Sequence, residues 1–222
     1  MAKRTFDIVV AALVLVCTLP LTLASALAVR LGSPGPIFYR AARAGVGGAP
    51  FAMLKFRTMH VAAHQGPEIT APNDARIFRA GALLRKLKLD ELPQFWNVLA
   101  GDMSIVGPRP ESLAIVESQY APWMMETLAV RPGITSPGAI FGYTHADALL
   151  DPADPEGSYV AHVLGPKLAI ERAYIERATF FSDLAVMLRT AWTILLVAVG
   201  RTRFALPREA REAARWHPVP GG

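Results

Sequence analysis

The stretch IVVAALVLVCTLPLTLASALAV, Ile8–Val29, runs for 22 residues without a charge. As a straight helix it would be about 33 Å long, against a hydrocarbon core of roughly 30 Å. Lys3, Arg4 and Asp7 precede it and Arg30 follows it. Three readings compete. A cleaved signal peptide has support from Lys3, Arg4 and the small residues Ala24, Ser25 and Ala26. Against it, the run exceeds the usual ~7–15 apolar residues, and Asp7 interrupts the basic start. A single span fits the length, but cations flank both ends and give no orientation. Pro20 removes a backbone hydrogen bond near the middle and kinks a helix there. A kinked helix that enters a membrane and returns to the same face accounts for Pro20 and for both cationic ends together.

Composition agrees with a membrane-associated chain. Of 222 residues, 52% are apolar and 18% charged, less charge than the ~25% of an average soluble domain. That excludes a disordered protein. The single cysteine, Cys17, excludes a disulfide framework and a cysteine-based zinc cluster. The formal charge is +5, and 18 of the 23 cationic residues are arginines. Arginine reads carboxylates and phosphates through a planar fork, so an anionic partner is expected. The basic residues share a chain with an apolar anchor, which argues against nucleic acid as that partner.

Beyond Arg30 the pattern is that of a folded domain. Ser33-Pro34-Gly35-Pro36 is a turn, and Ile37–Arg40 and Phe51–Phe56 predict two short strands joined through Gly45–Gly48, a hairpin. His60–Asn73 predicts a loop. Asp74–Leu87 predicts a helix capped by Asp74. A second helix is signalled at Asp90-Glu91-Leu92-Pro93, with an apolar stripe of Leu92, Phe95, Trp96 and Leu99 and a stop at Gly101. Pro108-Arg109-Pro110, Arg131-Pro132-Gly133 and Leu149–Gly157 predict loops. Lys167–Arg177 predicts an amphipathic helix. Asp183–Val199 is apolar but interrupted by Arg189, which favours a core or interfacial helix over a span. The tail carries Arg201, Arg203, Arg208, Arg211 and Arg215, and either lies on an anionic leaflet or frays into solvent.

The strongest chemical constellation is Arg85-Lys86-Leu87-Lys88-Leu89-Asp90-Glu91-Leu92-Pro93-Gln94. Helix starts and arginines bind phosphate, and a carboxylate among them can act as a nucleophile or hold Mg²⁺. Asp as cap and Glu as first-turn acid is also ordinary helix chemistry, so the pattern alone leaves both readings open. His60 and His64 have a metal-compatible spacing but lie in poor helix material without a nearby Glu. No Walker A loop or G-x-G-x-x-G fingerprint occurs.

Taken in order, these residues resemble the bacterial sugar transferases, the monotopic polyprenol-phosphate phosphoglycosyl transferases. The resemblance runs through Lys3-Arg4-Thr5-Phe6-Asp7, Ser33-Pro34-Gly35-Pro36-Ile37-Phe38, Lys55-Phe56-Arg57-Thr58-Met59, Leu84-Arg85-Lys86 and Leu89–Gln94. It continues in Asn97-Val98-Leu99, Gly101-Asp102-Met103-Ser104, Val106–Pro110 and Arg131-Pro132-Gly133-Ile134-Thr135. The chain begins at the apolar run, so it looks like the family's small form.

The resemblance implies an α+β monotopic membrane protein with a kinked re-entrant helix at 1–31, amphipathic interfacial helices and a small β-hairpin. A catalytic domain is expected at 32–200 and a basic tail at 201–222. It implies that the aspartate matching Asp90 attacks the β-phosphorus of a UDP-sugar, expels UMP, and passes the phosphosugar to polyprenol phosphate. Glu91 completes the dyad, and Mg²⁺ is expected at Asp90 and Glu91. Lys55, Arg85, Arg109 and Arg131 match phosphate-region cations, and Pro20 matches the helix kink, with Leu19 where a serine is usual. Glu171 stands where an aspartate is usual, as a supporting acid. Thr135-Ser136-Pro137-Gly138-Ala139 departs from the usual Thr-Gly-x-x-Gln, so no sugar is named. Partners would be the UDP-sugar, polyprenol phosphate and lipids of the bacterial inner membrane at its cytoplasmic face. A homodimer is left open. The rivals are a non-catalytic membrane-anchored protein that binds lipid or a partner, and a phosphohydrolase.

Overall fold

The apolar run folds as two helices, α1 (Ala2–Cys17) and α2 (Leu19–Gly32), bent by 65° at Thr18. The computed structural model describes residues 2–61, 69–70 and 74–220. The bend lies two residues before Pro20, which occupies the first turn of α2. A proline ring collides with the carbonyl four residues earlier, so a helix gives way just ahead of it. The burial of this pair is inverted. Asp7, Ala11, Ser25 and Val29 face protein, while Leu13, Val16, Leu23 and Leu31 are exposed.

The charges before the run are fasteners. Arg4 donates to the carbonyls of Val98 (2.6 Å) and Leu99 (3.1 Å). The buried Asp7 carboxylate accepts from the Ser104 hydroxyl (2.8 Å) and the Ile105 N–H (3.2 Å). Lys3 pairs with Asp183 at 2.5 Å.

The predicted hairpin is present. Strand β1 (Phe38–Ala44) pairs antiparallel with β2 (Pro50–Phe56), Phe38 opposite Phe56 and Ala44 opposite Pro50. The turn uses Gly47 (φ 65°) and Gly48 (φ 81°), a left-handed conformation open to glycine. Beyond β2, the buried Arg57 guanidinium donates to the Pro36 and Ser33 carbonyls, at 2.6 and 2.7 Å, and locks the Ser33–Pro36 turn.

The helix predicted from Asp74 starts later, as α3 (Arg79–Lys86). The Asp74 carboxylate is taken by Arg76, and Ile77 forms an antiparallel bridge with Met59, so those residues are held extended or turned. Leu89–Glu91 is a single 3-10 turn leading into α4 (Gln94–Ala100), which Gly101 (φ 99°) ends as expected. The stripe differs: Trp96 is exposed, while Gln94, Asn97 and Val98 are enclosed. Asn97 explains this, because its amide accepts from Leu54 N–H (2.9 Å) and donates to Ala52 C=O (2.8 Å), pairing with β2 as a neighbouring strand would.

The loop expected at Arg131-Pro132-Gly133 leads directly into a strand, which pairs with a short strand before Pro108. Strand β3 (Ser104–Val106) is followed by α5 (Leu113–Gln119) and α6 (Pro122–Met125), and β4 (Gly133–Thr135) returns parallel to β3. Gly107 and Gly133 cross in contact, where a Cβ on Gly133 would lie 2.1 Å from Gly107 N.

Helix α7 (Pro137–His145) comes next. Then α8 (Pro155–Ser158) runs through a π-helical stretch, Tyr159–Leu164, into α9 (Gly165–Ile175). Helix α9 is enclosed on nearly all sides rather than amphipathic, since Lys167 pairs internally with Glu111. It centres one core with Phe141, Val163 and Leu168, while a second joins Met53, Val98, Val106 and Val186.

Helix α10 (Phe180–Ala198) is the one described helix long and apolar enough by itself to cross a membrane. Arg189 within it is held bidentate by Glu209, at 2.8 and 3.1 Å. Among the described residues the tail is packed against the domain rather than frayed. Helix α11 (Ala210–Ala213) buries Ala210 and Ala213 in the α9 core, and Arg172 stacks 4.7 Å from the Trp216 ring. Among the described residues the architecture is α+β, mostly helix with two small sheets.

Candidate active site

Four segments converge on one cavity of about 1100 Å³. Strand β2 supplies Lys55, α3 supplies Arg85, the 3-10 turn supplies Asp90 and Glu91, and the loop after β3 supplies Arg109. Two of these are aimed by contacts already described. Asn97 holds the backbone of β2 on both sides of Met53, one residue short of Lys55. The Gly107–Gly133 crossing fixes the start of the Arg109 loop. Nine cationic side chains line the cavity against four acidic ones among the described residues. An anionic ligand matches that balance.

Asp90 and Glu91 are adjacent but differ in environment. The Glu91 carboxylate is fully engaged: Arg109 grips it through two bonds of 2.7 and 3.0 Å, and Lys88 adds a contact of 3.2 Å. Burial pushes its pKa up, but Arg109, then Lys88 and Lys55, more than offset that and hold it well below the ordinary range. Asp90 is 7% exposed, and its Oδ1 has no hydrogen-bond partner among the described residues. Burial, then the Glu91 charge, raises its pKa, with Lys55, Lys88 and Arg85 opposing. It is a carboxylate kept open among cations rather than a satisfied helix cap. Asp90 caps nothing, because it lies within the 3-10 turn.

Lys55 is brought down to about 7 by burial and then by Arg109, with Glu91 and Asp90 pulling the other way. Its charged form is disfavoured in the cavity, and an arriving diphosphate would favour it.

The remaining expected residues fall differently. Glu171 does not line the cavity. It is fully buried, accepting from the Ser136 hydroxyl (2.5 Å) and the Arg109 backbone N–H (3.3 Å), with its pKa raised to about 7 by burial. It touches the site through Arg109. Arg131 is exposed, donates to the Gly101 carbonyl at 3.1 Å, and stands outside the cavity lining. His60 bonds to Ser33 at 3.1 Å, and His64 lies outside the described residues.

Sequence reading did not single out Arg43, Glu111, Tyr143 or Lys167, which also line the cavity. Glu111 and Lys167 are separated by 56 residues, and no local pattern announces such a pair.

No group of three or more His, Cys, Asp or Glu side chains able to hold a metal occurs among the described residues. A divalent cation that keeps its waters and takes most of its remaining ligands from a substrate diphosphate needs only one or two carboxylates. The unpartnered Asp90 oxygen fits that role, whereas both Glu91 oxygens are committed to cations.

The profile of the family described as bacterial sugar transferase matches residues 1–197. The UDP-glucose:undecaprenyl-phosphate glucose-1-phosphate transferase of Caulobacter vibrioides is 38% identical over 198 residues, covering 87% of this chain and 69% of that protein. The UDP-N-acetylgalactosamine-undecaprenyl-phosphate N-acetylgalactosaminephosphotransferase of Aeromonas hydrophila is 36% identical over 87% of this chain but 43% of its own length. The exopolysaccharide production protein ExoY of Rhizobium meliloti is 33% identical over 218 residues, covering 88% of this chain and 86% of that protein. The match over residues 1–197, with relatives above 30% identical along most of both chains, settles the family: the chain belongs to the bacterial sugar transferases.

Proposed function

We propose that this protein transfers a sugar 1-phosphate from a UDP-sugar to polyprenol phosphate through a phosphosugar carried on Asp90. The observation that carries the proposal is the buried Asp90 carboxylate with an unpartnered oxygen, facing a cavity lined by nine cations. An Asp90 oxygen attacks the β-phosphorus of the donor. The new O–P bond forms as the bridging P–O bond breaks, and UMP leaves with that electron pair. A phosphate oxygen of the acceptor then attacks the same phosphorus, and the Asp90 carboxylate departs with its electrons. Splitting the transfer lets one small carboxylate serve a soluble donor and a lipid acceptor in turn.

The surrounding residues divide the electrostatic work. Arg85 and Lys55 meet the donor's charge, and Lys55 gains a proton as the diphosphate arrives. Glu91 holds the Arg109 guanidinium at the cavity wall, and Glu171 fixes the backbone of the same residue. Mg²⁺, held by Asp90 and the donor diphosphate, would screen the phosphate charges against the incoming carboxylate.

The exposed apolar faces of α1 and α2 and the 65° bend support a re-entrant anchor on the cytoplasmic face of the inner membrane. Both ends of the pair would then stay with the catalytic domain, consistent with Lys3, Arg4 and Asp7 being bonded to α10, α4 and β3.

The test is a panel of UDP-sugars with purified protein, Mg²⁺ and polyprenol phosphate, followed for UMP and for lipid-linked product. Asp90→Asn should abolish UMP release and covalent labelling by the sugar phosphate. Full turnover in that variant overturns the proposal, and sugar phosphate ending in water identifies a hydrolase. Topology is tested in a Cys17→Ser background with a new cysteine beside Lys3, which should resist a membrane-impermeant reagent applied from the periplasm. Labelling there would establish a spanning helix.

A further inference from the structure

Among the described residues one non-glycine has a positive φ, and it is Lys88 (φ 57°, ψ 19°), two positions before Asp90. A lysine enters this left-handed region at a cost, so neighbouring groups must hold it there. On one side its ammonium meets Glu91 at 3.2 Å. On the other it lies 4.5 Å from the centre of the Tyr143 ring. The Tyr143 hydroxyl reaches back past Lys88 and donates to the Lys86 carbonyl at 2.7 Å, at the last turn of α3. One side chain therefore grips the strained residue itself and the backbone two residues before it.

Tyr143 is itself held in register with the site. It belongs to α7, whose capping Ser136 donates to the buried Glu171 carboxylate, and that carboxylate also accepts from Arg109 N–H. The element that carries Tyr143 is thus tied to the residue that engages Glu91.

We propose that Tyr143 is a positioning residue for the Asp90–Glu91 turn, holding Lys88 left-handed through its ring face and the Lys86 carbonyl through its hydroxyl. Asp90 is thereby kept facing the cavity. The inference rests on the reading of Asp90 as the reacting carboxylate.

The experiment compares Tyr143→Leu, which loses ring and hydroxyl, with Tyr143→Phe, which keeps the ring. Tyr143 is half-exposed, so both should fold. Amide hydrogen exchange over Lys88–Leu92 should quicken in Tyr143→Leu by about tenfold or more and less in Tyr143→Phe. UMP release should fall in kcat by on the order of ten- to a hundredfold in Tyr143→Leu. Its KM for the UDP-sugar should stay near the wild-type value. Unchanged exchange in Tyr143→Leu, or a defect confined to KM, would overturn the proposal, the latter making Tyr143 a donor contact. If the wild-type protein releases no UMP from any donor, the reading of Asp90 fails. The exchange measurement still decides whether Tyr143 holds the turn.

Discussion

Replacing Lys55 by methionine should stabilise this protein while disabling it. The folded chain lowers the Lys55 pKa from 10.5 to about 7, chiefly by burial and then by Arg109. At about 1.4 kcal/mol for each tenfold in proton affinity, the ceiling on that cost is about 5 kcal/mol. Lys55 keeps part of its surface on the cavity, where water screens its charge, so about 2 kcal/mol is the expected cost. The pH dependence follows from the sign. A lysine whose folded pKa lies below its unfolded value costs its full amount below about pH 7, a decreasing amount between 7 and 10.5, and nothing above. The stability gap between Lys55→Met and wild type should therefore be flat near pH 6, shrink from pH 7 to 10, and leave only the constant gain from methionine. For a chain of this length, 2 kcal/mol corresponds to about 5 °C in Tm, readable by thermal denaturation in detergent across that pH range. A gap that does not change between pH 7 and 10 would refute the reasoning. The same logic makes donor binding take up protons, more at pH 8 than at pH 6. Calorimetry of UDP-sugar binding in buffers of different ionisation enthalpy measures this, and Lys55→Met should abolish the uptake.

Glu171→Gln should show the opposite pH pattern. Its carboxyl is raised from 4.5 to about 7, so the wild-type chain loses stability as pH rises through that interval and stays lower above it. The variant should therefore be more stable by about 2 kcal/mol at pH 8 and by nothing at pH 4, read by urea unfolding. Gly133→Ala should cost several kcal/mol, on the order of 3 or more, because its Cβ would lie 2.1 Å from the Gly107 backbone nitrogen and backbone must move. Since that crossing leads into the Arg109 loop, UMP release should fall further than the loss of folded protein explains.

Several elements are legible in the residues because their causes are local. The hairpin follows from apolar segments around Gly45–Gly48, the end of α4 from Gly101, and the break in the first helix from Pro20. The Asp90-Glu91 pair among cations is equally visible, as is the order of motifs that marks the family. Other residues carry no local sign of what they do. Asp74 is a sound helix cap by composition, yet Arg76 and the Met59–Ile77 bridge claim that segment first. Lys3, Arg4 and Asp7 look like flanking charges of an apolar run and prove to be bonds to α10, α4 and β3. Arg189 looks like a costly interruption until Glu209, 20 residues later, is folded back onto it.

By itself, then, the sequence determined the bent apolar helix pair, the hairpin and which carboxylates stand among cations, since backbone stereochemistry and hydrophobic patterning act over a few residues. Only the tertiary structure decided that Asp90 is open while Glu91 is occupied, that Arg109 enters the cavity while Arg131 does not, and that Tyr143 reaches Lys88. Those outcomes depend on charges and hydrogen bonds between residues tens of positions apart, and their distances exist only once the chain has folded.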